Sequence, residues 1–255
     1  MDEQTSRWTD VELLPEWDEE FYDVYTAKKF GKWVMIKTLK PEFRDMPEYR
    51  AMIEKEFDTR YNLAHPNIVM INDFEEIPGL GRCIVTDDVY GDSLRKLIDQ
   101  GRVTVAHISQ MRHQLVNALE YIQANHIVHP PLRPENIIFT ENIGNLKLID
   151  VGFEQRPSLS RREVADDIYN YGKVLKEALD AVGSGDPVLR RVVRRCTATD
   201  RSHRFRDLAQ LHLALEGRSQ KRFFILVAIT LAVMILLIVW LLSPWRPEPI
   251  VGTAF

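Results

Sequence analysis

The chain has 255 residues, of which 45% are hydrophobic and 27% charged, and a formal net charge of −4. Such a length and balance describe one folded domain of about 200 residues with an appendage, and exclude a disordered chain. The net charge, with no run of lysine and arginine that could track phosphates, gives no reason to expect a nucleic-acid partner.

In chain order, residues 1–16 read as a polar lead-in, too acidic to be a signal peptide. Strand-like stretches follow at 21–27 and 32–39, with a turn around Gly31. A helix is predicted from Pro47 to about Leu63, closed by the turn signal His65-Pro66-Asn67. Two further strands are predicted at 68–74 and 82–87. Apolar residues three and four apart then predict helices over 93–99, 105–125, 164–182, 187–196 and 206–215. Two short strands, 137–140 and 146–149, interrupt that series. Strands first and helices afterwards predict a two-lobed α+β domain over residues 17–216. Cys83 and Cys196 stand far apart and fit buried thiols in a reducing compartment better than zinc ligands or a disulfide.

Residues 223–242, from Phe223 to Leu242, form an unbroken run whose only polar member is Thr230. As a helix it is roughly 30 Å long, the thickness of a bilayer's hydrocarbon core. Arg218, Lys221 and Arg222 precede it, only Arg246 follows, and Trp240 and Trp245 sit where an aromatic belt belongs. The sequence therefore predicts a single-pass membrane helix after a basic linker at 217–222. The positive flank places the N-terminal domain in the cytoplasm and residues 243–255 outside.

Several motifs resemble those of protein kinases. Val34-Met35-Ile36-Lys37 is similar to the V-A-I-K of the third kinase strand, and His65-Pro66-Asn67-Ile68-Val69 to the turn after the C helix. His129-Pro130-Pro131-Leu132-Arg133-Pro134-Glu135-Asn136 resembles the catalytic loop H-R-D-L-K-P-E-N, and Asp150-Val151-Gly152 stands in the place of D-F-G. Asp167-Ile168-Tyr169-Asn170-Tyr171-Gly172 resembles the start of the F helix, and residues 196–204 the C-x-x-x-D-x-x-x-R stretch near the end of the C-lobe. Six motifs in the right order make the signal specific. The resemblance implies a Mg–ATP site. Lys37 would meet the phosphates, held by Glu56 on the inward face of the C helix; Asn136 and Asp150 would hold magnesium; and Thr86 and Val89 would border the adenine as gatekeeper and hinge.

The sequence departs from the family where chemistry is done. Pro131 replaces the catalytic aspartate, so general-base assistance worth roughly 10²–10⁴-fold is absent. Trp17, Glu19 and Tyr22 occupy the three glycine positions of the phosphate loop. Glu19 would repel phosphate, and bulky side chains keep backbone N–H groups from approaching it. Met35 replaces the small residue that packs on adenine and could fill the slot. Fourteen residues separate Gly152 from Asp167, too few for an activation segment with A-P-E. Ser158 and Ser160 in this stretch read as a polar loop rather than a phosphosite, and Glu163 is the candidate partner for Arg204. These features lead to the expectation of a bacterial, membrane-anchored pseudokinase that binds a protein partner, with weak or no nucleotide binding. The alternatives are an atypical Ser/Thr kinase or nucleotide-gated switch that binds Mg–ATP, and an adaptor with no residual pocket function.

Overall fold

The structure is a computed structural model that describes residues 7–17, 19–141, 144–149, 154–216 and 220–242. It comprises two compact units, Met1–Leu215 and Glu216–Phe255.

The first unit opens with an antiparallel five-stranded sheet in the order β1-β2-β3-β5-β4. Its strands are β1 (Trp8–Leu13), β2 (Tyr22–Lys29), β3 (Lys32–Leu39), β4 (Ile71–Ile77) and β5 (Gly81–Asp87). Phe30 and Gly31 join β2 to β3 and both have positive φ, 51° and 80°, the signature of a tight turn whose twist matches the strands. The resulting register places Val24 opposite Lys37, and β5 places Thr86 opposite Met35. β1 corrects the sequence reading of 1–16 as a mere lead-in. Five of its six residues are exposed, so it carries little of the buried alternation by which strands are recognised.

Helix α1 (Pro47–Arg60) packs on this sheet, its first turn started by Pro47. Ile53 joins Tyr22, Leu39, Ile71 and Ile84 beneath it, with Phe21, Phe43, Tyr49 and Phe57 around them. Strand β4 begins three residues later than predicted. Ile68 and Val69 are apolar because they are buried beside Leu148, not because they belong to the main sheet.

The rest of the unit is helical around one large core. β6 (Gly91–Ser93), β8 (Ile137–Thr140) and β9 (Leu146–Leu148) form a small sheet beside α2 (Leu94–Asp99). The predicted helix 105–125 is α3 (Val105–Gln110), a π-helical turn over Met111–Leu115, and α4 (Val116–Ala124). The irregular turn is tied down from three sides. Tyr171 donates to the Met111 carbonyl, Arg112 to the Leu215 carbonyl, and Gln114 accepts from the Leu146 amide. β7 (Ile127–Val128) pairs with β10 (Glu154–Gln155).

α5 (Arg161–Val182) starts with a capping box between Ser160 and Glu163 and ends at Gly183 in the left-handed conformation. It packs on α6 (Pro187–Cys196), and α7 (Leu208–Leu215) follows. The approach of α5 to α6 is close: a Cβ at Gly172 would lie 2.3 Å from that of Cys196. Both cysteines are buried free thiols, and burial raises them to about 11 for Cys83 and about 12 for Cys196.

The second unit contains α8 (Gln220–Leu242). Its described side chains, Ile225 and residues 227–240, are all exposed. Among the described residues no helix is long and apolar enough to cross a membrane. Its side chains are described without a break only over residues 227–240, about 21 Å of helix. The side chains of Phe223 and Leu242 that delimit the predicted span, and all of residues 243–255, lie outside the described ones.

Candidate functional site: a closed nucleotide slot

The third strand and α1 bring together the two charges that the sequence pairs. Lys37 Nζ lies 3.4 Å from Glu56 Oε1, with Lys37 9% exposed and Glu56 fully buried. Two further partners were not read from the sequence. Arg60, one helical turn after Glu56 and itself buried, approaches the same carboxylate oxygen at 2.5 Å. Glu19 reaches Lys37 Nζ at 3.0 Å, nearer than Glu56. The signal for Arg60 lay in the i,i+4 spacing of opposite charges on the inward face. The signal for Glu19 lay in its place at a glycine position, read above only as a charge that would repel phosphate.

Tyr22 completes the arrangement. Its ring lies 4.2 Å from the Lys37 ammonium, within cation–π range. Burial first, and then the negative charge of Glu56, push its hydroxyl above the usual tyrosine range. Lysine, two carboxylates, an arginine and an aromatic ring thus make a nearly neutral cluster in the space where kinases hold phosphate.

Met35 is 8% exposed and packs with Val24, Val69, Val89 and Ile138, with Leu14, Trp17 and Ile149 against the same cluster. Thr86, 8% exposed, stands across the ladder from Met35, and Val89 belongs to the cluster itself. These side chains pack against one another at the positions where the kinase resemblance would place an adenine. A cleft of about 660 Å³ persists beside them, bounded by Trp17, Glu19, Arg95, Arg133, Asn136 and Ile149. Asn136 is buried at 7% exposure. Asp150, its expected partner in holding magnesium, lies outside the described residues. As folded, these residues do not fit Mg–ATP: Met35 packs at the adenine position, and Glu19 sits on Lys37 where a phosphate would have to approach.

At the catalytic-loop position Pro131 lines a pocket of about 200 Å³ with His129, Glu163, Asp166 and Asp167. Each carboxylate there is engaged. Glu163 holds Arg156 at 2.6 Å and caps α5, Asp166 lies 3.7 Å from Arg162 and 3.8 Å from Arg201, and Asp167 accepts from Gln123 at 2.7 Å. Glu163 is therefore not the partner of Arg204. That arginine donates to the Ala198 carbonyl and lies over the Tyr169 ring. Ser160 accepts from the Glu163 amide as the cap of α5, which gives its hydroxyl a structural task.

His129 is the buried titratable group of this loop. Nδ1 lies 2.7 Å from the Pro130 carbonyl oxygen, and Nε2 3.1 Å from Asp167 Oδ1, off the axis of a good hydrogen bond. Both nitrogens face acceptors, an arrangement that only the imidazolium satisfies. Burial opposes that charge, but Asp167 and the Pro130 carbonyl outweigh it and hold the histidine above its usual 6.5. A group raised on folding contributes stability that is fully present below its unfolded value and lost as pH rises through the folded one. The melting temperature should fall as pH rises above about 6.5 and through the raised folded-state value, and Asp167→Asn should flatten that slope. A pH profile identical in the two proteins would refute the assignment.

Strand order, helix placement and the Lys37–Glu56 pair define a protein-kinase-like domain. Residues 20–170 match the family described as Protein kinase domain, and the chain belongs to that family. The serine/threonine-protein kinase PknD of Mycobacterium tuberculosis (strain CDC 1551 / Oshkosh) is 33% identical over 155 residues, 58% of this chain and 23% of PknD. PknA of the H37Rv strain, also named a serine/threonine-protein kinase, is 33% identical over 129 residues, 49% of this chain and 30% of PknA. The chain thus spans less than a third of either relative. The crystal structure of the M. tuberculosis PknI kinase domain superposes with a TM-score of 0.63 at 20% identity, covering 84% of this chain and 97% of that one. At that identity the likeness is one of fold.

Proposed function

We propose that the chain is a membrane-anchored pseudokinase whose kinase-like domain works in the cytoplasm by binding a protein partner, with little or no phosphotransfer. The observation that carries this reading is the ion pair of Glu19 with Lys37. A carboxylate from a phosphate-loop position is seated on the lysine that phosphate needs, and neutralises it. Pro131 supports the same reading, because it offers no acceptor for a substrate proton and the neighbouring carboxylates are committed elsewhere. Anchoring rests on the apolar run 223–242, on the helical course of α8 through it and on its basic flank. Cytoplasmic placement follows from that flank and is checked by adding protease to intact spheroplasts, which should leave the domain whole.

A second reading has specific support. The retained Lys37–Glu56 pair and Asn136 in the cleft, with relatives named as serine/threonine kinases, favour an atypical Ser/Thr kinase or nucleotide-gated switch. Incubation with labelled ATP and magnesium separates the two. No transfer above that of a Lys37→Ala control is expected; robust transfer by the unmodified chain, abolished in that control, would reverse the order of the readings.

A further inference from the structure

Basic residues are concentrated in one stretch near the end of the C-lobe. Residues 187–206 contain seven arginines and one acid, Asp200, a net of +6 in a chain whose total is −4. The remaining residues therefore sum to −10, so positive charge is segregated here.

The arginines divide by task. α6 buries Leu189, Val192, Val193 and Cys196. Arg190 turns inward to Asp180 and to the Ser184 carbonyl. Arg191, Arg194 and Arg195, spaced to share one helical stripe, are exposed. Arg195 lies over the ring of buried Phe205, 4.1 Å from its centre, and the next residue, exposed Arg206, lies 3.8 Å from Asp207. Among the described residues neither Arg191 nor Arg194 has an ion-pair partner. Arg194 and Arg195 complement the C-terminal end of the α6 dipole, and Arg195 also contacts Phe205, whereas Arg191 repels both from three and four residues away and has no such task.

We propose that this arginine face docks on an anionic membrane surface; the proposal rests on the anchoring read from residues 223–242. Charge complementarity identifies the occupant, and chain length supplies the opportunity. Only residues 216–222 separate the end of α7 from the apolar run, a connector of at most about 25 Å. That connector adds Arg218, Lys221 and Arg222. On so short a tether the domain can bring this face within reach of the leaflet's potential, where clustered arginines are attracted to acidic headgroups and salt weakens them. Docking would fix the orientation of the domain on the membrane, and hence which of its faces a protein partner meets.

The test uses the full chain with a fluorophore on Ser202→Cys; the native cysteines are buried, with raised thiol values, and so react slowly. Energy transfer to acceptor-labelled lipid is read in phosphatidylcholine vesicles with and without 30% phosphatidylglycerol. At least a twofold greater transfer is expected on the anionic vesicles at low salt. It should disappear at 0.5 M NaCl and in the Arg191→Glu/Arg194→Glu/Arg195→Glu variant. Equal transfer on both vesicles, with the chain floating on both, overturns the arginine face and leaves the anchor intact. Failure to float on phosphatidylcholine overturns the anchor; anionic-only flotation lost in the triple variant would still uphold the face. Charge-reversal-sensitive binding of RNA or DNA without any change in lipid transfer would assign the face to nucleic acid and refute the proposal.

Discussion

Glu56→Ala is expected to destabilise the domain by about 3–5 kcal/mol, the magnitude for breaking a buried ion pair from one side. For a domain of this size that is a fall in melting temperature of roughly 10 °C. Glu56 is fully buried, and its removal leaves the buried Arg60 guanidinium without its 2.5 Å partner. Lys37 suffers less, because Glu19 still holds it at 3.0 Å. The damage should therefore be assigned mainly to Arg60, and a double-mutant cycle can show this. Arg60→Leu combined with Glu56→Ala should recover much of the loss, since an apolar pair replaces a carboxylate whose second oxygen has no hydrogen-bond partner among the described residues. A shift below 2 °C for Glu56→Ala, measured by thermal denaturation, would show that the charge is not structural.

The parts of this fold that were legible in the sequence are those whose burial leaves a period. β2 and β3 flank a Phe-Gly turn, with a buried run Val34–Leu39 in β3, and α5 and α6 carry clear apolar stripes, so their positions follow within a few residues. β1 was not legible because an edge strand with five exposed residues has no buried period to show. The π-turn inside 105–125 was hidden for a different reason. It is imposed by Tyr171, Leu215 and Leu146, all distant in sequence, and apolar spacing does not encode such contacts. At the site, motif order anticipated the pairing of Lys37 with Glu56, but not the further contacts of Arg60 and Glu19 with that pair. The approach of Glu19 to Lys37 depends on how the chain enters β2, and composition at three missing glycines does not specify that. Asp150 falls outside the described residues, so its geometry adds nothing to either reading.

Opening the nucleotide slot should require two substitutions, because two independent obstacles close it. Met35 obstructs by volume: its side chain packs with Val24, Val69, Val89 and Ile138 where a purine would lie. Glu19 obstructs by charge, holding the lysine that would meet the phosphates. Met35→Ala alone creates space but leaves phosphate facing a carboxylate, and Glu19→Ala alone frees the lysine beneath a filled slot. The unmodified protein should show no saturable binding in calorimetric titration with ATP and magnesium, and each single variant little more. The double variant should bind at least tenfold more tightly than either single one, a difference of about 1.4 kcal/mol. Neither residue should be needed for folding to the degree that Glu56 is, because Lys37 keeps Glu56 when Glu19 is removed, and the methionine cluster can relax around a smaller side chain. Saturable micromolar binding by the unmodified chain, dependent on magnesium and lost in Asp150→Ala, would mean that Glu19 and Met35 move aside for nucleotide. The cleft beside Asn136 would then be a working site, and the nucleotide-gated switch would become the better account of this domain.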